Sequence, residues 1–509
     1  MIQINKKFLI ISMSVGIALA GCKKDFLDVN KDPNRVTDDN VTAELIFPSA
    51  AEASGALSFA GSRADGAGAK TTMQFAQDWV GYMAANGDFA RDNTETSYNI
   101  DFTFADNLFQ TRYGILFDLH QTEIKALAND DTALAAASIV LSAKMFQEMV
   151  DLFGNIPYSQ AFHVDQITRP AYDDAKAIYD NLQLRLDTAV TYFGLTVSSK
   201  FAGADIINHG DVDKWIKFAN TIKLRLLLRQ SESSGFDPSS EIGKIFGTDK
   251  AGVLGEGESV SVNPGYVNDV DKQSPFYANY GYTPTDVKAT SSTNANVYIV
   301  NILNTSGDPR IERFFLPVGA AFVGCAYGDD PGNIPLGNQS SYFGPGLVGS
   351  PGQDQWMLPS YESLFFKAEA IARGWVTGEG TAQEVYERAV TESFVWLGVD
   401  TTASAVNTYM SGNPIADWAN AGATPADQAK FIVFQKYIAN TGIDPAEAYA
   451  DQRRLNFLPA GFISLNPQKV ADKLPLRLLY PQSEYTTNSV NVLKEGTIDP
   501  FNSKLFWEP

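Results

Sequence analysis

The chain is poor in the residues that most often carry metal or covalent chemistry. Its 509 residues include two cysteines, Cys22 and Cys325, and three histidines, His120, His163 and His209. There is no CxxC and no HExxH, so a zinc site of the usual spacing is excluded. No GxSxG elbow and no P-loop are present. Behind the N-terminal leader, no apolar run reaches the roughly 20 residues that a membrane-crossing helix needs. Basic residues are also short, 39 against 59 acidic, for a net charge of −20. A chain this acidic does not track nucleic-acid phosphates. It is repelled by anionic membrane surfaces and favours a neutral ligand over a polyanion.

What is present begins at the N-terminus. Lys6 and Lys7 precede twelve residues, Phe8 to Leu19, that are apolar apart from two serines and a glycine. That length suits the h-region of a secretory signal. The run closes on Leu19-Ala20-Gly21-Cys22, which looks like a bacterial lipobox, with two small residues before a cysteine whose thiolate accepts diacylglycerol. An ordinary signal peptide with a chance cysteine is the plainer alternative. The expectation is a signal over 1–21, lipidation at Cys22 and a polar tether over 22–40. Removing two lysines and no acid takes the charge from −20 to −22. Cys325 then has no partner and reads as a small buried residue, so the fold rests on core burial and not on disulfides.

Apolar stripes at helical spacing recur along the rest. Trp215, Ile216, Ala219, Ile222 and Leu226 share one face, and Tyr361, Leu364, Phe365, Ala368 and Ile371 another. Start signals accompany them: Thr381-x-x-Glu384 as a capping box, Asp444-Pro445 as N-cap and first residue, and Gly154 as a stop. Helices are expected at about 107–128, 131–153, 173–193, 211–230, 359–376, 381–397, 425–440 and 445–455. Their short connections suggest stacked hairpins. The expected fold is mostly α, a tetratricopeptide-like α-α superhelix in one domain over 41–509. Its repeats cover about 107–230 and 359–455, and 456–509 is irregular. Between them, about 231–358, glycine, proline and tyrosine crowd in, which reads as a loop-rich insert with a few short strands.

Several stretches together resemble the SusD/RagB family of outer-membrane lipoproteins from Bacteroidetes. They are Asp25-Phe26-Leu27-Asp28-Val29-Asn30 behind the lipobox, KMFQEMVDLFGNIPYSQAF (144–162), Asp213-Lys214-Trp215 with Phe218-Ala219-Asn220, and Asp308-Pro309-Arg310. Lys367-Ala368-Glu369-Ala370, YADQRRLNF (449–457) and LPLRLLYPQSEYTTNSVNV (474–492) complete the set. The resemblance spans nearly all of the mature chain. It implies a lipid-anchored protein on the cell surface that captures a nutrient, usually a glycan, and passes it to a SusC-type TonB-dependent barrel. It further implies that the repeats contact the barrel and that the insert faces the ligand.

A sugar ring offers a C–H face that suits an aromatic plane and a hydroxyl edge that suits planar polar groups. Two regions mix such residues. One is 74–101, with Trp79, Tyr82, Asn86 and Tyr98. The other is the insert, with Tyr280, Tyr282, Tyr342 and Trp356. Each ring taken singly is more often core than platform. Asp329-Asp330 offers oxygens of the kind calcium takes, but a solvated turn accounts for them, and no cofactor is expected. Two other readings stay open at this stage. A glycoside hydrolase needs two carboxylates about one bond, and no pair stands out in a motif. A helical-repeat scaffold for a protein partner would leave the tyrosines in the core.

Overall fold

The computed structural model describes residues 41–59, 73–399 and 403–509. Residues 43–509 form one compact unit. The leader, Cys22 and the tether lie outside the described residues. In chain order come α1 (Ala43–Phe59), α2 (Gln74–Trp79), β1 (Met83–Ala85), α3 (Asp106–Ala128) and α4 (Thr132–Phe153). There follow β2 (Ile156–Pro157), β3 (Tyr172–Asp173), α5 (Ala175–Phe193), α6 (Val212–Arg229) and β4 (Val260–Val262). The insert adds α7 (Pro275–Tyr280), β5 (Thr293–Ala295), α8 (Val297–Ser306) and β6 (Gln355–Leu358). Last come α9 (Ser360–Ala372), α10 (Ala382–Leu397), α11 (Pro425–Ala439) and α12 (Pro445–Leu455). The fold is a mostly α, tetratricopeptide-like superhelix with a loop-rich insert. Its strands form three two-stranded antiparallel ladders, β1–β5, β2–β3 and β4–β6.

The helices begin where a side chain closes the first turn. The carboxylates of Asp131, Asp174, Asp211 and Asp444 each accept the backbone N–H three residues on, at 3.0–3.1 Å. Thr381 and Glu384 form a full capping box on α10. α4 ends at Gly154, held at φ +76°. α3 packs on α4, α4 on α5 and α5 on α6, while α9 packs on both α10 and α11. α4 is the one described helix long and apolar enough to cross a membrane. This corrects the sequence reading that no apolar run behind the leader is long enough. With 89% of its apolar window buried it is the core of the first helical half.

Among the helices that the sequence reading does not expect, α1 and α8 are the longest. α1 contains Pro48 and Gly55, which argue against a helix. Gly55 is there because α1 passes close to β4: a Cβ would stand 2.7 Å from Val262 Cγ1. α8 adds a helix to an insert expected to hold loops and a few short strands. Its Asn296 side chain accepts the Tyr298 N–H at 2.9 Å, and Gly307 takes the left-handed conformation at its end.

The two helical halves are joined by buried charge. Arg454 of α12 donates to Leu228 O of α6 at 3.1 Å, and within its own half makes a two-pronged bond to Glu369 of α9 at 2.5 and 2.9 Å. Arg229 of α6 reaches Glu447 at 2.6 Å and Asp151 of α4 at 3.0 Å. Within the second half, Lys436 of α11 bridges Glu447 and Asp451, both at 2.7 Å, which holds Glu447 in place for Arg229. The YADQRRLNF stretch is therefore a clamp between halves. The 474–492 segment is a strap over the end of α4. Leu478 N–H donates to Leu152 O at 2.8 Å and the Tyr480 hydroxyl to Asn155 O at 2.7 Å. Arg477 lies so close over Gly154 that a Cβ there would be 2.9 Å from its guanidinium.

Candidate functional site

The first aromatic region is core. Trp79 is fully buried, its ring 4.8 Å from Phe75, 5.7 Å from Tyr98 and 5.6 Å from Tyr449. Tyr82 stacks on Tyr437 at 4.7 Å and donates to Tyr437 O at 2.6 Å. Tyr98, buried at φ +59°, accepts the Ser464 N–H at 2.8 Å. Asn86 donates to Ser291 O at 2.7 Å and Asn294 Oδ1 at 2.8 Å, and accepts the Asp88 N–H at 3.1 Å. Of the insert residues, Tyr280 and Trp356 close around Phe276 at 4.9 and 4.7 Å. Rings without an open face have no surface on which a sugar can stack. Trp79, Tyr82, Tyr98, Tyr280 and Trp356 therefore serve packing, and Asn86 ties loops together.

Beneath this region lies a buried acid pair. Asp78 and Glu95 are both buried, and the Arg91 guanidinium bonds Asp78 at 2.7 Å. Burial pushes both carboxyls above the ordinary range, Glu95 furthest, with the neighbouring Asp78 charge adding to it. Asp78 Oδ1 and Glu95 Oε1 are buried with no hydrogen-bond partner among the described residues.

A hairpin of the insert is built differently. Behind α7 the chain turns over Thr283-Pro284-Thr285-Asp286, a sequence suited to a tight turn. Tyr282 and Lys288 pair across it as an antiparallel bridge. Ala289 N–H donates to Gly281 O at 2.9 Å, and Thr283 N–H to Val287 O at 2.8 Å. Asp286 sits at φ +59° in the turn. The hairpin rests on buried Tyr342, whose hydroxyl donates to Gly281 O at 3.2 Å. Lys288 Nζ lies 4.4 Å from the centre of the Tyr342 ring. Tyr282 meets the same ring edge-on at 6.1 Å.

Tyr282 and Tyr277 are each half-buried, and neither phenol has a hydrogen-bond partner among the described residues. Tyr277 packs on Gly281, where a Cβ would come within 2.8 Å of its ring. Burial and the nearby Asp286 raise the Tyr277 phenol, which keeps it a donor. Gln273 donates to Tyr282 O at 3.0 Å and to Asn268 Oδ1 at 2.9 Å, fixing the hairpin's flank. The strand after the hairpin leads to Ser291 and Ser292, which hold Asn86 and so the 86–91 loop with exposed Phe89. Part-open rings with free hydroxyls, beside planar amides, are suited to a flat polyhydroxylated ligand. Of the eight residues singled out in the sequence, Tyr282 presents an open ring and Tyr342 supports it. Tyr277 and Lys288 were not singled out, although the Tyr-x-Pro-x-Asp turn between Tyr282 and Lys288 marks a hairpin.

The Asp329-Asp330 pair closes a turn. Asp330 accepts the Gly332 N–H at 2.8 Å and Asp329 the Asn333 amide at 3.2 Å. Cys325 is buried and free.

Fold and site define a helical-repeat protein that carries a loop-built surface on an insert. Residues 56–481 match the SusD-like family profile described as "Starch-binding associating with outer membrane". The chain belongs to this SusD-like family of glycan-binding proteins associated with the outer membrane. Similar solved structures include a chitin-binding SusD homologue from Flavobacterium johnsoniae (23% identity, 86% of this chain and 94% of that one, TM-score 0.71). A SusD-like protein from Bacteroides thetaiotaomicron matches at 23% identity over 92% and 98%, with TM-score 0.72. A SusD homologue from Bacteroides fragilis matches at 20% over 92% and 99%, with TM-score 0.72. Among curated proteins none matches at a significant level.

Proposed function

We propose that this chain is a non-catalytic, lipid-anchored capture protein of the cell surface, which binds a neutral glycan and delivers it to a SusC-type TonB-dependent barrel. The observation that carries the reading is the hairpin platform, where Tyr277 and Tyr282 offer half-open rings and unpartnered phenols in a chain of net charge −20. The family's description as starch-binding and the chitin-binding relative support a glycan as ligand. Signal 1–21, lipid on Cys22 and tether 22–40 supply the anchor. The helical repeats are the surface offered to the barrel. The buried carboxyls Asp78 and Glu95 lie in the core and are not offered as a catalytic pair.

The test is migration of the chain from residue 23 onward through native gels holding neutral or anionic polysaccharides, with released sugars assayed in the same mixtures. Retardation by a neutral polysaccharide without sugar release is expected, and Tyr282→Ala should abolish it. Sugar release would replace capture with hydrolysis. No retardation by any polysaccharide would remove the glycan.

A further inference from the structure

The β1–β5 ladder has two ends. The hairpin platform lies at the Ala85/Thr293 end. At the Met83/Ala295 end, about 7 Å of strand away, the chain enters α8. There α8 and the 413–415 and 459–461 loops enclose a groove of about 510 Å³. That volume lies in the range of small-molecule sites, roughly 300–1,000 Å³.

Its chemistry is specific. No charged side chain among the described residues lines the groove, although the chain carries 98 charged residues. Ile302, Ile415 and the half-buried ring of Phe434 make an apolar floor. Tyr298 is buried against Phe462 and spends its hydroxyl on Pro459 O at 2.8 Å, so it fixes the wall and is not a stacking surface. Asn413 is spent likewise, donating to Ser306 O at 3.0 Å and accepting the Ile415 N–H at 3.2 Å, which fixes the wall. Asn301 and Thr305, one helical turn apart on the exposed side of α8, have no hydrogen-bond partner among the described residues. The site therefore presents an apolar floor that includes the Phe434 ring, and one amide and one hydroxyl on the rim.

We propose that this groove is a second carbohydrate subsite, selective for N-acetylated sugars, an inference that rests on the glycan-binding reading. An acetyl methyl fits the floor. Its amide matches the Asn301 side chain, which donates and accepts at once, and a ring hydroxyl meets Thr305. A plain hexose has no apolar projection to fill the floor. An acidic sugar would meet no cation there.

Saturation-transfer NMR and calorimetry on the purified protein test this with the trisaccharide of N-acetylglucosamine and its glucose counterpart. The acetyl methyl protons should receive the strongest saturation. Ala460→Trp, at an exposed rim position, and Asn301→Ala should each weaken the acetylated trisaccharide by about tenfold or more, which is about 1.4 kcal/mol. The glucose trisaccharide should be little changed by them. Tyr282→Ala should leave the acetyl contact in place. Equal binding of both sugars that ignores Ala460→Trp and Asn301→Ala but falls with Tyr282→Ala overturns the groove and leaves the glycan reading standing. Loss only with the groove variants supports the groove and removes the hairpin platform. Binding of neither sugar by the unaltered protein overturns the subsite, while polysaccharide retardation in gels decides the wider reading separately.

Discussion

Two regions of this protein have nearly the same composition and opposite fates. Residues 74–101 hold Trp79, Tyr82 and Tyr98, and the insert holds Tyr277 on α7 and Tyr282 on the hairpin behind it. In the first, rings interlock at 4.7–5.9 Å and phenols are spent on backbone partners hundreds of residues away. In the second, a short turn lifts the rings to the surface and leaves their phenols unpartnered among the described residues. Aromatic density therefore marks a candidate region, but the fate of the hydroxyl separates core from platform. A spent hydroxyl signals packing, and an unspent one beside an open ring signals a ligand.

The largest effect that tests this contrast is Trp79→Ala. It removes a fully buried ring that touches Phe75, Tyr98, Phe104 and Tyr449. Such truncations cost about 3–5 kcal/mol. Urea unfolding should show that loss, with glycan affinity kept wherever the variant is folded. Affinity lost at unchanged stability would make Trp79 a platform and break the contrast.

Next in size is the acid pair below Trp79. Asp78→Asn strands the mostly buried Arg91 guanidinium and should cost about 3 kcal/mol. Glu95 behaves differently. Its carboxyl is raised by burial and by Asp78. A group raised on folding holds its proton more tightly in the folded state, so its contribution is complete below the unfolded value of about 4.3. It is lost as pH rises through the folded value. Stability should therefore decline above the ordinary carboxylate range. Glu95→Gln, which copies the protonated acid, should flatten that part of the profile and change stability at pH 4 by less than about 1 kcal/mol. Urea midpoints from pH 4 to 8 check it, and an unaltered slope would show that Glu95 is already ionised.

Much of the fold was legible because helix ends are local. Asp131, Asp174, Asp211, Thr381 and Asp444 each cap a helix through the N–H three residues on. α1 was hidden by Pro48 and Gly55, and the need for Gly55 comes from β4, some 200 residues later. The 474–492 strap had no physical account in sequence, because its partners are backbone carbonyls at the end of α4. The site was legible as a region and not as residues. Nothing local to Trp79 announces Tyr449, and nothing local to Tyr342 announces that Lys288 will cover it. The hairpin was the exception, written in its own Thr-Pro-Thr-Asp turn.

Tyr282→Ala is the converse of Trp79→Ala. It removes one edge contact with Tyr342 and no side-chain hydrogen bond among the described residues. Stability should fall by no more than about 1 kcal/mol. Glycan affinity should fall at least about tenfold, which calorimetry would read directly. A large stability loss would put Tyr282 in the core with Tyr82.

The smallest expected effect is the most informative about the ligand. Lys288 stands over the Tyr342 ring at 4.4 Å, and such a contact at a partly open site contributes about 0.5–1 kcal/mol. Lys288→Met keeps the apolar stem and deletes the charge. If Lys288 only props the ring beneath the platform, the variant loses that small stability and binds a neutral glycan within about twofold of the original. Salt would then leave both affinities unchanged, since no ion pair to the ligand exists to be screened. If Lys288 instead reads an acidic substituent, an anionic glycan should bind the original protein more tightly. That preference should shrink with salt and vanish in the variant. The same substitution thus separates a cation that holds an aromatic ring in place from a cation that selects the sugar.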